Sequence, residues 1–240
     1  MIVNKDWVYR NITTNDGKQV PYRWTHGATD YHMGDGLMVY ALVQHMRAKT
    51  CVCLGSGGGF IPRIMTQARK ELYHQEIFTG NPDNNWGDIG VTYIVDAANG
   101  VGGFTDWTKD DSFFRSNFHP RVILKTTEEA YYNYFVKEGV EIDYLHIDAD
   151  HSYEGVKKDF DMYSKLVKKS GIITLHDTDQ KYHDNYIVTD DIKPEYYEPF
   201  DGPAKLLKEI GPEWKVFNFF NEGNHREKPS STGFTLIQHA

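Results

Sequence analysis

The stretch His146-Ile147-Asp148-Ala149-Asp150-His151 crowds two imidazoles and two carboxylates into six residues, and a further pair, His176-Asp177, closes an apolar run. Carboxylate oxygens suit a hard divalent cation that keeps some of its waters. Asp148 and Asp177 offer two such ligands, and His176 offers a third or a contact to substrate. The imidazole of His151, with an unperturbed pKa of about 6.5, suits a general base at neutral pH. A third feature is the turn Gly55-Ser56-Gly57-Gly58-Gly59. Glycines let the backbone turn tightly and let a ligand approach without Cβ atoms in the way. A helix that follows presents unpaired N–H groups. Such a turn cradles either the pyrophosphate of a dinucleotide or the amino-acid end of S-adenosylmethionine. It is not a Walker loop, because no Gly-Lys-Ser/Thr follows. Asp96 can accept both ribose hydroxyl protons of either ligand. Plainer readings stand beside these: a turn without a ligand, Asp96 or His151 as a helix cap, and carboxylates used only for polar contacts.

The elements that must position these groups read as parallel α/β. Apolar runs at 51–54, 91–95, 121–124, 144–147 and 172–175 predict strands. Helices are predicted over 60–75, with Pro62 tolerated in the first turn, and over 127–137. The clearest helix is predicted over 152–169. Tyr153, Val156, Phe160, Tyr163 and Val167 recur at three- and four-residue spacing, Ser152 is an N-cap and Gly171 lies just past the end. Residues 178–203 read as a polar insertion on the substrate side, with Tyr182, Tyr186, Tyr196 and Tyr197 suited to a lid. A short helix over 204–210, a strand over 214–220, a loop over 221–231 and a strand over 232–237 complete the domain spanning 50–240. Residues 1–49 read as an N-terminal extension, with a helix over 37–46, that covers the cofactor. In an open parallel sheet, ligands bind beyond the carboxyl ends of the strands. There the glycines, Asp96, Asp148 with His151, and His176 with Asp177 converge.

At 240 residues, the chain is one domain with extensions, by the rule of roughly 100–200 residues per domain. Its 26 Lys and Arg against 34 Asp and Glu give a net charge of −8, which argues against nucleic acid as a partner. Cys51 and Cys53 fall on one face of a strand and read as core thiols, not a disulfide. With no secretion signal and no apolar stretch near the roughly 20 residues that cross a bilayer, the expectation is a cytoplasmic protein with no membrane partner.

The turn Gly-Ser-Gly-Gly-Gly-Phe, the segment Ile-Asp-Ala-Asp-His-Ser-Tyr-Glu-Gly-Val from Ile147, and the strand ending His176-Asp177 resemble class I S-adenosylmethionine-dependent methyltransferases. The chain looks closest to the family of macrocin-type and rhamnosyl O-methyltransferases, which is related to cephalosporin hydroxylase. The resemblance runs from about residue 33 to residue 177. It implies a Rossmann-like, seven-stranded, mostly parallel sheet with helices on both faces and an antiparallel last strand. It implies S-adenosylmethionine bound by Met33, Gly55, Ser56, Gly57, Asp96, Thr127 and Asp148. It also implies Mg²⁺ on Asp148 and Asp177 and His151 as the base; with Thr178 at the usual Asn position, the shell is left for His176 or Asp179 to complete. The implied reaction is methyl transfer to a hydroxyl of a small molecule, a sugar or natural-product glycoside. Assembly into a homo-oligomer is common among such relatives. Two departures stand out: Cys53 replaces a usual acidic residue, and Thr178 stands where catechol-type relatives carry Asn. Two other readings stay open. A nicotinamide-dependent oxidoreductase accounts for the glycines and Asp96 but leaves the His–Asp pairs without a role. A non-catalytic binding or partner protein on the same fold accounts for the two departures.

Overall fold

Residues Cys51, Val52, Cys53 and Leu54 are all fully buried, so this strand must be covered on both faces. Alternate side chains divide between two cores. Cys51 and Cys53 pack with Val39, Phe60, Ile64 and Met65. Val52 and Leu54 pack with Phe135, Phe160 and Tyr163. Burial pushes the Cys51 thiol up to about 12, and both cysteines are free, as the spacing predicts.

The computed structural model describes residues 25–28, 33–57, 59–78, 90–97, 119–179, 201–219, 224–225, 228–229 and 233–240. Its main sheet holds β1 (Thr50–Leu54), β2 (Val91–Val95), β3 (Arg121–Ile123), β4 (Ile142–Ile147), β5 (Val167–His176), β6 (Trp214–Phe219) and β7 (Phe234–His239). The order is β3-β2-β1-β4-β5-β7-β6. β1 to β5 pair in parallel, and β7 runs antiparallel to both β5 and β6. Helices α1 (Gly36–Met46) and α2 (Phe60–Phe78) cover one face. Helices α3 (Thr127–Ala130), α4 (Tyr153–Tyr163) and α5 (Gly202–Leu206) lie on the other. This is the Rossmann-like sheet with an antiparallel last strand that the sequence predicts. No helix among the described residues is long and apolar enough to cross a membrane. The predicted lid lies almost wholly outside the described residues, including its four tyrosines.

Three elements depart from expectation. The helix predicted to reach Lys169 ends at Tyr163, tightens into a 3₁₀ turn over Ser164–Leu166, and enters β5 at Val167. Tertiary contacts override the periodicity here. Val167 pairs with Ile142, and the Lys168 ammonium meets Asp143 at 2.8 Å. The other Asp143 oxygen accepts the N–H groups of Lys49 and Thr50 at 2.9 and 2.8 Å, which ties β4 to the start of β1. Gly171 therefore lies inside β5 and is no helix cap. The helix predicted over 127–137 is a short α-helix followed by a π turn over Tyr131–Phe135. Within the predicted loop over 221–231, Asn224–His225 pairs antiparallel with Lys228–Pro229.

Two local constraints give tests. Gly55 sits at φ +71°, its N–H donates to the Val95 carbonyl at 2.9 Å, and a Cβ there would lie 2.1 Å from the Asp148 carbonyl oxygen. Gly55→Ala must therefore push the end of β4 away. We expect it to lower stability by about 2 kcal/mol or more in urea denaturation, and an unchanged midpoint would refute this account. On α4, Asp159 is 1% exposed, and burial raises its carboxyl to about 6, with Thr127 partly offsetting the shift. A raised folded pKa means stability that is full below the unfolded value and is lost as pH rises through the folded one. Stability should thus fall between about pH 4 and 6 by roughly 2–3 kcal/mol. Asp159→Asn should flatten that fall and raise the urea midpoint at pH 8.

Candidate active site

Four strands deliver their carboxyl ends to one place. Leu54, Ile147 and Leu175 are in register across β1, β4 and β5, so Gly55, Asp148 and His176 emerge at one level. Asp148 is laced to β1 by its N–H, which donates to the Leu54 carbonyl at 2.9 Å. Beyond it the chain turns into α4. The Ser152 hydroxyl caps the helix by accepting the Gly155 N–H at 3.1 Å, and Asp150 accepts the Ser152 N–H at 2.8 Å. Capping is thus done by Ser152 and Asp150, and His151 turns its ring to the carboxylates. Its Nε2 lies 3.1 Å from Asp148 Oδ1 and 2.8 Å from Asp177 Oδ2. His176 Nδ1 lies 3.3 Å from Asp148 Oδ1 and 3.2 Å from Asp177 Oδ1. Asp177 adopts a left-handed φ of +55°, an uncommon conformation for a residue other than glycine.

The charges in this cluster are mutually fixed. Burial opposes charge on His151, but hydrogen bonds to Asp148 and Asp177 outweigh it and raise its pKa to about 10. His176 is likewise raised against burial, chiefly by Asp177 and Asp148. Burial works against ionisation of both carboxylates, and the neighbouring imidazoles more than reverse it, so both are held well below the usual range. His151 therefore carries a proton at neutral pH in this arrangement, unlike the free imidazole of the sequence reading. Asp148 and Asp177 present oxygens that fit a divalent cation, and the His176 nitrogen stands beside them.

At the glycine turn, the Ser56 N–H and hydroxyl both donate to Asp96 Oδ2, at 3.1 and 2.6 Å. The carboxylate at the end of β2 thus holds the glycine turn in shape. Met33 is buried in the core immediately before α1. Thr127 opens α3 behind the capping box of Thr126 and Glu129, and its carbonyl accepts the Tyr163 hydroxyl at 2.8 Å. Cys53, at the position of the usual acidic residue, directs its sulfur to the Gly55 carbonyl at 2.9 Å. The Thr178 hydroxyl is bonded to that of Thr235 on β7 at 2.9 Å.

Sequence reasoning gave no role to His26, Asp35 or His146, which also belong to this cluster. His26 Nε2 lies 3.6 Å and His146 Nε2 4.0 Å from Asp148 Oδ2, and His176 Nε2 lies 3.8 Å from Asp35. The His26 ring sits 4.0 Å from that of His176, centroid to centroid. His146 was legible from period two, since it lies two residues before Asp148 and shares its strand face. His26 had no such signal, because only the fold brings its turn to β4.

The chain matches the family described as a methyltransferase domain over residues 52–178. A search of curated protein sequences found no match. Among solved structures, an O-methyltransferase from Bacillus cereus in complex with SAH superposes with a TM-score of 0.59 at 15% identity, covering 86% of this chain and 80% of that one. TomG of Streptomyces achromogenes, an O-methyltransferase involved in tomaymycin synthesis, bound to SAM, gives 0.57 at 11% identity over 86% and 79%. CalS11, a TDP-rhamnose 3′-O-methyltransferase of calicheamicin biosynthesis, gives 0.53 at 14% identity over 85% and 78%. With the sheet order, the glycine turn and the strand-end carboxylates in place, the chain belongs to the methyltransferase-domain family and is a methyltransferase of the class I, Rossmann-like fold.

Proposed function

We propose that this methyltransferase moves the sulfonium methyl of S-adenosylmethionine to a hydroxyl oxygen of a small molecule, a sugar or natural-product glycoside. The observation that carries the reading is the convergence of Asp148, His151, His176 and Asp177 beside the Gly55–Gly57 turn. The sulfonium methyl is already activated, so the protein mainly has to align donor and acceptor and manage one proton. In this reading Gly55, Ser56 and Gly57 receive the amino-acid end of the cofactor, Asp96 its ribose and Thr127 its adenine, with Met33 covering it. Asp148 and Asp177, with His176, would hold Mg²⁺, which lowers the pKa of a coordinated hydroxyl. His151 takes the acceptor's proton, and it can do so only when Asp148 and Asp177 no longer hold its own. TomG, involved in tomaymycin synthesis, and CalS11, a TDP-rhamnose 3′-O-methyltransferase, support this acceptor class. The net charge of −8 fits a partner of low molecular weight and not nucleic acid. Action in the cytoplasm and assembly with a second copy stand as parts of the same proposal.

Calorimetric titration with S-adenosylmethionine, with and without Mg²⁺ and with NAD⁺ as control, tests the cofactor. We expect 1:1 binding of S-adenosylmethionine and none of NAD⁺. Failure to bind S-adenosylmethionine or its demethylated product overturns the reading, and binding of NAD⁺ instead redirects it to redox chemistry. In turnover with a sugar acceptor, His151→Ala should lower kcat about 10²–10⁴-fold while leaving cofactor affinity within a few-fold. Full turnover at saturating acceptor would remove His151 from the mechanism.

A further inference from the structure

The Asp148 carboxylate has two sides. Its Oδ1 faces His151 and His176, which it shares with Asp177. Its Oδ2 faces the opposite way, to His26 and His146. Donor atoms of His26, His146 and Asp148 all lie within 4.8 Å of one another. They come from separate places: the turn Thr25–Gly27, the body of β4, and its end.

Three observations show that this side is prepared for a ligand. First, His146 is wholly buried, and its Nε2 has no hydrogen-bond partner. Leaving a buried polar atom unsatisfied costs about 1–3 kcal/mol, so the atom calls for an explanation. Second, the ring is oriented from behind. His146 Nδ1 meets the Thr174 hydroxyl at 2.9 Å, and the Leu145 carbonyl lies 3.4 Å from that hydroxyl, positioned to take its proton. The Thr174 hydroxyl also meets the Tyr144 hydroxyl at 2.9 Å; when it gives its proton to Tyr144 or Leu145 it accepts from Nδ1–H, and the lone pair then falls on Nε2, the nitrogen that faces Asp148. A hydrogen bond on the remote ring nitrogen is the usual support of a metal-bound histidine. Third, His26 is held at φ +51° and ψ +36°, a costly conformation for histidine. Its carbonyl accepts the Asp35 N–H at 2.8 Å, and Gly34 packs so close that a Cβ there would lie 2.1 Å from that oxygen. The strain presents the ring to Asp148.

We infer that His26, His146 and Asp148 form a second cation site, one that takes a first-row transition metal of borderline softness such as Zn²⁺ or Fe²⁺. Two imidazole nitrogens and one carboxylate are a donor set for such ions, whereas Mg²⁺ prefers oxygen. Bonds of ~2.0–2.2 Å place neighbouring donors roughly 3–3.6 Å apart. The separations of 3.6 and 4.0 Å need only a small contraction to reach that spacing. The bound ion would tie the turn preceding α1 to the end of β4. The site shares Asp148 with the proposed catalytic centre but uses its other oxygen and needs neither Asp177 nor cofactor.

The test uses the tag-free, chelator-stripped chain and Co²⁺, whose visible absorption rises strongly when it is held in a four-coordinate site and needs no turnover. We expect one strongly absorbing Co²⁺ per chain, displaced by Zn²⁺ and retained in a large excess of Mg²⁺. His26→Ala and His146→Asn should each weaken Co²⁺ binding roughly 100-fold, and Thr174→Val about 10-fold. Asp177→Asn should leave it intact. Far-UV circular dichroism and S-adenosylmethionine calorimetry on the same samples separate lost metal from lost fold or lost cofactor. The proposal fails if folded protein takes up no Co²⁺ or if Mg²⁺ displaces it. It fails equally if His26→Ala retains the signal that Asp177→Asn abolishes.

Discussion

The structure around the site depends on keeping one carboxylate, Asp148, ionised while most of it is out of water. Removing such a group from solvent costs several kcal/mol unless partners compensate. Here compensation comes chiefly from His151 and His176 on one oxygen, while burial disfavours charge on His26 and His146, which face the other. Asp177 would double the negative charge, and it is tolerated because the same two cationic rings bridge both carboxylates. The result is a cluster in which no single charge can be changed without unbalancing the rest.

Around that cluster the fold acts as a jig. The parallel register of β1, β4 and β5 brings their ends level, and the left-handed Gly55 lets the first turn pass against the Asp148 backbone. Asp96, from the next strand over, grips Ser56 and fixes the glycine turn beside the imidazoles. The cofactor pocket of the proposed function and the proton-handling groups are therefore parts of one backbone arrangement, linked through the β1–β4 contact.

Much of this was legible in the chain. The strands that end in chemistry-bearing residues were readable because buried parallel strands leave continuous apolar runs, and such runs at 51–54, 91–95 and 144–147 need no tertiary information. The convergence of Gly55, Asp96, Asp148 and Asp177 followed from a general rule about sheet ends. What failed were boundaries and partners settled by distant groups. Val167 and Lys168 have the spacing to continue a helix, but Ile142 and Asp143 draw them into β5. His26 lies in a polar stretch with no periodicity, so nothing local marks it as a neighbour of β4. The protonation of His151 was also beyond sequence reasoning, because a free imidazole and one between two carboxylates are the same letter.

The position of His26 has a consequence for how the molecule comes together. Every other imidazole around Asp148 sits on or next to strands β4 and β5, which are neighbours in sequence as well as in space. His26 arrives from before α1, and contacts between such distant parts of a chain form late, because closing the loop between them costs entropy first. Until that turn docks, the Asp148 carboxylate lacks one of its four surrounding rings and stays more open to water. The electrostatics of the finished centre are thus a report on whether the earliest segment of the described chain has reached its place.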